Sequence, residues 1–388
     1  MDEFLSSTLT KLNNNEYNEL NIIIGNESCD LDSAISAIVY ATYLYWQHNH
    51  MKCKVCTKAY RDGTLVKDDV FVPILNVDRA DYELKTEVAY LLKDKGISAS
   101  NLVFRDDRNL QEFLNNSKSK VVLVDHHVLA KNDEFLAPFV TEIIDHRPLD
   151  KSKWTYKEDT RSTIEVVGSC TTLVAQRIKD LSSLVAKEMD FFNAYPVCAE
   201  FLHATIILDT VNFSKEVNKA TPHDEEIILF LENLIKPADV KAERQRILNT
   251  LVEARKDVSN LSAAQLLRKD VKIVGKVLVP SFPILVKEFL DRPAALEAVT
   301  EALLHNNCEV ALLLGMDLTG GLKRDTAIYS SKNPEKAVKL GEHLVQWRSP
   351  DLQLQAEQAT CSYYQQLNLS ASRKQYIAPV TQWLQSLN

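Results

Sequence analysis

The sequence predicts an α/β protein with an N-terminal, mostly parallel sheet flanked by helices, and a second, mixed α/β domain. Two observations support this prediction. Short apolar runs alternate with segments of helical spacing through the first half, which is typical of βαβ units. A polar helical stretch follows residue 215, and a second series of strand-like and helix-like segments comes after it. The predicted boundaries are 1–220 for the first domain, 221–250 for a helical linker and 251–388 for the second domain.

The strands predicted for the first half are short apolar runs bounded by turn residues or charges. In chain order they are LNIIIG at 20–25, CKVCTKAY at 53–60, FVPILNV at 71–77, NLVFRDD at 101–107, KVVLVDHH at 120–127 and TEIIDHR at 141–147. Their alternation with helical segments favours parallel pairing, because parallel strands need a long crossover between them.

Four segments of the first half are predicted to be helical, the fourth only in its first part. The first runs from Ser33 to about His48, and the second, YELKTEVAYLLKDKG, ends at Gly96. The third, GSCTTLVAQRIKDL at 168–181, begins with Ser and Thr residues that favour helix capping. The fourth, AEFLHATIILDTVNF at 199–213, is expected to change from helix to a loop or short strand.

The second half begins with the polar helical stretch, which is interrupted by Pro222 and Pro237. Beyond it, VKIVGKVLVPS at 271–281 and CEVALLLGMDL at 308–318 are predicted strands. Between these two runs, 282–307 is predicted to be helical. The second domain is therefore expected to mix strands and helices.

Composition excludes several classes of protein. A net charge of −8 argues against a general nucleic-acid binder, which needs a basic face. No apolar run reaches the roughly 18 residues of a membrane span, and the first 20 residues lack a signal or transit pattern. A cytoplasmic protein that binds no membrane is the expectation. The seven cysteines are scattered, and the CxxC formed by Cys53 and Cys56 is better explained by two ordinary thiols than by zinc or redox chemistry.

Aspartates recur where apolar runs end. Asp30 and Asp32 follow the first run, and Asp125, Asp145 and Asp209 end three others. One such residue is usually a helix cap. Several together are different, because the carboxyl ends of parallel strands share one edge of the sheet. Carboxylates gathered there would repel one another or collect cations, and oxygen ligands with one or two imidazoles suit Mg²⁺ or Mn²⁺.

The motifs that contain these residues resemble those of the DHH phosphoesterase superfamily. They read GNESCDLDSAISA, VDHH, DHRP and HATIILDTVNFSKEVNKATPHD, with GSCTTLV between the last two. The segments FVPILNVDRADYELKTEV and SRK extend the resemblance over nearly the whole chain. Exopolyphosphatases, family II inorganic pyrophosphatases and, most of all, prune proteins are similar, since DHRP is the prune form of the third motif.

The resemblance implies a site with two divalent cations, Mg²⁺ or Mn²⁺. Asp30 would bind one cation, Asp32 the other, Asp125 both, and His146 and Asp209 would complete the ligand set. Asp125, His146 and Arg147 would be catalytic, with a hydroxide activated by the two cations attacking the terminal phosphorus. A second domain of the DHHA2 type would close over the metals.

Substrate contacts are implied in both domains. Arg147 and Asn26 in the first domain, and Lys272, Arg373 and Lys374 in the second, would bind the phosphates of a small anionic substrate. Asn26 stands where pyrophosphatases of this class have a histidine, which should favour Mg²⁺. Arg147 also replaces a histidine, and it can bind phosphate but cannot donate a proton at neutral pH.

The implied activity is hydrolysis of phosphoanhydride bonds, as in a short-chain exopolyphosphatase. Two alternatives stay open: a cyclic nucleotide phosphodiesterase, and a weakly active scaffold that binds a nucleoside diphosphate kinase. The scaffold alternative is weakened because the tail that longer prune proteins use for this partner is not in the chain.

Some residues near these motifs keep open roles. The roles of His126 and His127 are left undetermined. His203 is expected in the core or behind the metal ligands, and the segment from Gly168 to Thr172 either caps a helix or binds phosphate.

Overall fold

The computed structural model describes residues 1–51, 68–115, 118–185, 190–318, 321–357 and 362–387. The chain forms two compact units, Met1–Arg255 and Lys256–Asn388. The predicted strand at 53–60, with Cys53 and Cys56, lies outside the described residues. Among the helices of the described ranges, none combines the length and the apolar character needed to cross a bilayer.

The first unit is built on a six-stranded sheet in which every strand is parallel to its neighbours. The strands are β1 (Leu20–Ile24), β2 (Val70–Leu75), β3 (Val103–Phe104), β4 (Ser119–Val124), β5 (Val140–Asp145) and β6 (Arg161–Ile164). Their order is β3-β2-β1-β4-β5-β6. The direction of strand addition therefore reverses between β1 and β4, and ligands bind at such a reversal in open α/β sheets.

Helices cover both faces of this sheet. They are α1 (Asp2–Asn14), α2 (Leu31–Met51), α3 (Thr86–Asp94), α4 (Leu110–Asn115), α5 (Cys170–Val185), α6 (Asp190–Ala194), α7 (Pro196–Asp209), α8 (Pro222–Ile235) and α9 (Val240–Lys256). Successive side chains of a strand point to opposite faces, so Ile23 packs with α2, α5 and α7, whereas Ile22 and Ile24 pack in a second core with Leu12 of α1. The predicted mostly parallel, helix-flanked sheet is confirmed.

Asp209 corrects one detail of the sequence analysis. It ends a helix, α7, and does not follow a strand. Every residue from Phe201 to Leu208 is buried, so the apolar run does not show that the helix continues to Asp209 instead of changing to a loop or short strand before it. Asp209 still lies in the same region as the acids that follow strands, but a helix places it there.

The predicted linker at 221–250 contains α8 and most of α9. Ile227, Ile228 and Leu231 of α8 and Leu251 of α9 are buried in the same core as α2. The division between the compact units falls after Arg255, a few residues beyond the predicted start of the second domain at 251. The burial of these apolar faces explains why both helices belong to the first unit.

The second unit contains a six-stranded mixed sheet of order β11-β12-β10-β9-β8-β7. Its strands are β7 (Val271–Val274), β8 (Val277–Phe282), β9 (Val310–Asp317), β10 (Lys323–Tyr329), β11 (Leu354–Glu357) and β12 (Ser362–Gln366). Only β8 and β9 pair in parallel, and the other described pairs are antiparallel. Its helices are α10 (Ala263–Lys269), α11 (Val286–Leu290), α12 (Ala295–His305), α13 (Pro334–Gln346) and α14 (Arg373–Ser386).

The mixed α/β character of this unit agrees with the prediction, but the helix predicted at 282–307 is two helices. Residues Asp291 to Ala294 separate α11 from α12, and Pro293 lies in this break. Proline cannot donate the hydrogen bond that would continue α11.

Candidate metal centre

The acids of the first motif lie at the point where the strand order reverses. Asp30 follows β1, and Asp32 lies in the first turn of α2. Asp125 follows β4, the strand beside β1 on the other side of the reversal. The predicted convergence of these strand-end acids is therefore produced by the parallel pairing of β1 and β4.

Three of the predicted ligands form one cluster. Single ligand atoms of Asp32, Asp125 and His146 all lie within 4.8 Å of one another. His146 Nε2 is 3.2 Å from Asp125 Oδ1 and 3.7 Å from Asp32 Oδ2. His146 Nδ1 is 3.0 Å from the carbonyl oxygen of Val167, to which it donates its hydrogen. This bond leaves the lone pair of Nε2 facing the carboxylates in the neutral ring.

Asp125 is held rigidly in this cluster. Its backbone has a φ of 60°, in the left-handed region that few residues other than glycine, asparagine and aspartate adopt. One carboxylate oxygen, Oδ2, accepts hydrogen bonds from Asn26 Nδ2 at 2.7 Å and from Ser33 Oγ at 2.6 Å. The other, Oδ1, is buried and accepts no hydrogen bond from any described residue. This free oxygen is the one that faces His146.

Asp32 is bound by the first turn of α5. Its Oδ1 accepts hydrogen bonds from Ser169 Oγ and Thr171 N, each at 2.9 Å, and its Oδ2 accepts one from Cys170 N at 2.7 Å. The segment at 168–172 thus binds a carboxylate of its own chain with its free amides. The Ser and Thr residues of this segment predict the start of a helix, but the sequence does not predict that Asp32 is their hydrogen-bond partner.

Asp209 and Asp30 complete the acidic region. Asp209 Oδ2 is buried and has no hydrogen-bond partner in the described parts of the chain. Burial, together with the charges of Asp30 and Asp125, raises the pKa of Asp209 to about 6. Asp30 is more exposed and accepts a hydrogen bond from Ser33 N at 3.2 Å. Desolvation by the surrounding protein and the charge of Asp125 raise the pKa of Asp30 as well.

The electrostatics of the cluster fit a divalent cation. Burial, then the charges of Asp209 and Asp125, raises the pKa of Asp32 well above its usual value. The two carboxylates beside His146 raise the pKa of its imidazole to about 9. Without a positive species, the lone pair of His146 Nε2 and the free Oδ1 of Asp125 face each other at 3.2 Å. A proton or a cation resolves this repulsion, and carboxylates with one imidazole are ligands that suit Mg²⁺ or Mn²⁺.

The other histidines near these motifs have different partners. His127 Nδ1 donates to Asp145 Oδ2 at 2.5 Å, and its Nε2 accepts from Asp150 N at 3.1 Å, so both ring nitrogens are used. His126 Nδ1 lies 2.9 Å from the carbonyl oxygen of Val124. The acid that ends β5, Asp145, therefore orients His127 and is not part of the cluster.

His203 lies in the core of the first unit, one of the two positions expected for it. It is buried, and its Nε2 is 3.1 Å from Glu232 Oε1. Arg244 contacts both oxygens of Glu232. His203 is therefore part of a hydrogen-bonded network with Glu232 and Arg244.

The predicted substrate contacts of the first unit differ in exposure. Asn26 is buried, donates to Asp125 with Nδ2 and accepts a hydrogen bond from Ser28 N at 2.8 Å with Oδ1. Its amide therefore positions Asp125 in this structure, and its contact with substrate stays a prediction. The side chain of Arg147 is 51% exposed, and its Nη2 is 3.6 Å from Asp125 Oδ1. Arg147 thus has both the access and the position for an anion at the cluster.

In the second unit, one of the three predicted basic residues is paired with an acid and the other two are exposed. Arg373 begins α14 and donates to the carbonyl oxygen of Asp270 at 2.9 Å and to its Oδ1 at 2.7 Å. Lys272, in β7, is two residues from Asp270 and is exposed. Lys374 is also exposed. Their contact with phosphate stays a prediction.

Comparisons with known proteins agree with the two-unit architecture. The model of the DHH family N-terminal domain matches residues 21–228, and that of the DHHA2 domain matches residues 249–383. Exopolyphosphatase PRUNE1 of Homo sapiens is 31% identical over 393 residues, which cover 97% of this chain and 78% of the relative. Its counterpart in Rattus norvegicus is 32% identical, with 98% and 78% covered.

Two further comparisons are more distant. A putative exopolyphosphatase of Schizosaccharomyces pombe is 31% identical over 255 residues, which cover 64% of this chain and 59% of the relative. The crystal structure of a putative family II inorganic pyrophosphatase from Methanococcus jannaschii has a TM-score of 0.44 and 18% identity, with 94% of this chain and 99% of that chain covered. On the family models and the PRUNE1 relatives, the chain belongs to the DHH family and is of the prune type, with a DHH N-terminal domain followed by a DHHA2 domain.

Proposed function

We propose that this protein is a divalent-cation-dependent phosphohydrolase that removes terminal phosphate from short inorganic polyphosphates. Its family membership and the PRUNE1 relatives, which are named exopolyphosphatases, support phosphoanhydride hydrolysis. The chain length of the substrate, the use of two cations and the roles of single residues are parts of the proposal.

The observation that carries the proposal is the geometry around Asp125. Asp32, Asp125 and His146 direct ligand atoms to one point, and Asp125 Oδ1 is buried there without a hydrogen bond from the described residues. Asp209 adds a second buried carboxylate oxygen without a partner in the same described ranges. Buried carboxylates of this kind are costly in a folded protein unless a cation or a proton balances them.

The side chains divide into three roles. Asp32, Asp125 and His146 would hold a cation together, and Asp209 and Asp30, whose charges interact with that of Asp125, would supply further carboxylate ligands. Bound divalent cations supply positive charge that neutralises phosphate oxygens during phosphoryl transfer.

The second role is to orient a metal ligand, and the third is to bind the substrate. Ser33 and Asn26 fix the carboxylate of Asp125 through its Oδ2. Arg147 would bind non-bridging phosphate oxygens with its guanidinium group, which presents two parallel donors to such an anion.

A substrate panel tests the proposal directly. Metal-stripped protein is supplied with Mg²⁺ or Mn²⁺ and given pyrophosphate, tripolyphosphate, tetrapolyphosphate, long-chain polyphosphate and cyclic AMP, and released phosphate or AMP is measured. We expect tripolyphosphate and tetrapolyphosphate to be hydrolysed fastest, and no substrate to be hydrolysed in EDTA. Faster hydrolysis of cyclic AMP would favour the phosphodiesterase alternative, and no cation-dependent turnover of any substrate would refute the hydrolase.

The variant Arg147→Lys is expected to raise the KM for tripolyphosphate about tenfold and to change kcat less. Lysine keeps the charge but loses the paired donors, and one hydrogen bond to a charged group is worth about 1.5–3 kcal/mol. Steady-state kinetics with saturating Mg²⁺ measure the split between KM and kcat. Arg246→Lys is the matched control, since Arg246 is 62% exposed and pairs with Glu243 on α9. An unchanged KM in Arg147→Lys would remove Arg147 from substrate binding.

A further inference from the structure

Asp224 is a fully buried carboxylate in the first turn of α8. Its Oδ2 accepts hydrogen bonds from Gly168 N at 2.7 Å, from Thr221 N at 2.7 Å and from Thr221 Oγ1 at 2.8 Å. Its Oδ1 accepts one from Thr172 Oγ1 at 2.6 Å. Four neutral donors, rather than a cation, thus satisfy the buried charge.

The partners of Asp224 and those of Asp32 interleave along one short segment. Asp224 binds the two ends of the segment at 168–172, through Gly168 N and Thr172 Oγ1. Asp32 binds the three residues between these ends, through Ser169 Oγ, Cys170 N and Thr171 N. The segment is therefore held between two buried carboxylates that are far apart in sequence.

The same segment also packs against the end of α7. A Cβ placed on Gly168 would come within 2.7 Å of Thr210 Cγ2 and 3.0 Å of Asp224 Oδ2. Thr210 directly follows Asp209, another predicted ligand. The absence of a side chain at Gly168 thus lets the segment lie close to both Asp224 and the residue that follows Asp209.

We infer that Asp224 is a positioning residue for the metal centre, which it serves by fixing the segment at 168–172 that orients the carboxylate of Asp32. This inference rests on the proposed cation site and adds a residue that does not itself reach the cations. Partners that orient metal ligands change metal affinity typically 10–100-fold when removed.

A capping role alone does not account for these contacts. Asp224 and its N-cap residue Thr221 form a capping box, which explains the hydrogen bonds between those two residues. The capping box needs neither Gly168 nor Thr172, which belong to the start of α5. The two functions can be separated because Thr221→Ala removes the hydroxyl of the cap and keeps the hydrogen bonds that Gly168 N and Thr172 Oγ1 donate to Asp224. Thr172→Val removes the hydrogen bond from α5 and keeps the cap.

The experiment measures Mn²⁺ binding to the metal-stripped chain of residues 1–388 by isothermal titration calorimetry, without substrate. Asp224→Ala is expected to weaken Mn²⁺ binding about tenfold or more, and Thr172→Val several-fold. Asp224→Asn should restore most of the affinity, because its amide keeps an oxygen for Gly168 N and offers a donor to Thr172 Oγ1. Thr221→Ala should lower the Tm and leave the Mn²⁺ affinity unchanged.

Thermal melts by circular dichroism ensure that each variant is titrated well below its Tm. Wild-type affinity in both Asp224→Ala and Thr172→Val overturns the inference. So does a loss in Thr221→Ala as large as that in Asp224→Ala, because general destabilisation then explains both. Failure of the wild type to bind Mn²⁺ refutes the proposed cation site instead.

Discussion

The Asp125→Asn variant should lose at least about a hundredfold in kcat on tripolyphosphate, while its metal-free form folds as stably as the wild type or more so. The size of the loss follows from removing a charged group at the centre of the site, where single groups contribute about 10²–10³ in rate. Phosphate release at saturating Mg²⁺ measures it.

The expected stability of the metal-free Asp125→Asn variant follows from the geometry and charges around this residue. Asparagine tolerates the left-handed φ of 60° at this position better than most residues do. Its amide oxygen can keep the hydrogen bonds from Asn26 and Ser33. Without the charge of Asp125 the pKa of His146 falls, and the neutral ring can then accept a hydrogen bond at Nε2 from the asparagine NH₂, which takes the place of the Oδ1 now 3.2 Å away. The substitution also removes the repulsion that Asp125 exerts on Asp30, Asp32 and Asp209.

Asp159→Asn is the matched control, because Asp159 is an exposed carboxylate of the same unit. It should change neither kcat nor Tm. An Asp125→Asn protein that retains more than a tenth of wild-type kcat would contradict the role assigned to Asp125. One that melts well below the wild type in EDTA would contradict the account of strain and repulsion at this residue.

In metal-free protein, the acids and the histidine of the metal centre should contribute less stability as the pH rises from about 4 to 9, and bound cations should reduce this loss. The folded state raises the pKa of Asp209 from 3.8 to about 6 and that of His146 from 6.5 to about 9. At these two sites the folded protein therefore binds more protons than the unfolded chain. The stabilisation is complete below the unfolded pKa of each group and is lost as pH rises through its folded pKa. For Asp209 alone, the shift corresponds to on the order of 3 kcal/mol.

Thermal melts in EDTA and in Mg²⁺, at several pH values, measure this dependence. Asp209→Asn should flatten the metal-free profile between about pH 4 and 6, because the asparagine does not titrate. Mg²⁺ should stabilise more at pH 8 than at pH 5, since the cation binds deprotonated ligands. Equal pH profiles for wild type and Asp209→Asn in EDTA would show that Asp209 is not the buried acid described here.

The acids that follow strands are the most predictable part of the site. A strand is visible in the sequence as an apolar run, and parallel strands bring their carboxyl ends to one edge. The sequence alone therefore places Asp30, Asp32 and Asp125 near one another. It places Asp209 in the same set for the wrong reason, because a helix that is buried on all sides, such as α7, and a buried strand give the same apolar run.

The hydrogen bonds that hold these acids are not predictable from the sequence. Ser33 lies next to Asp32 in sequence, but its hydroxyl donates to Asp125, which follows a different strand. Asp224 looks like an ordinary capping residue, yet it also binds the start of α5. Such contacts depend on how the helices pack on the sheet, and a local sequence pattern does not predict this packing.

By itself, the sequence determined the α/β class, the motifs of the family and the acids with one histidine that could bind cations, because apolar periodicity and side-chain chemistry are local properties. The tertiary structure alone decided which lone pairs face one another at His146 and Asp125, and which buried acids hold the segment at 168–172. The contacts of Asp32 with this segment join residues 137 to 139 positions apart, and only the packing of α2 and α5 on the sheet brings them within hydrogen-bonding distance.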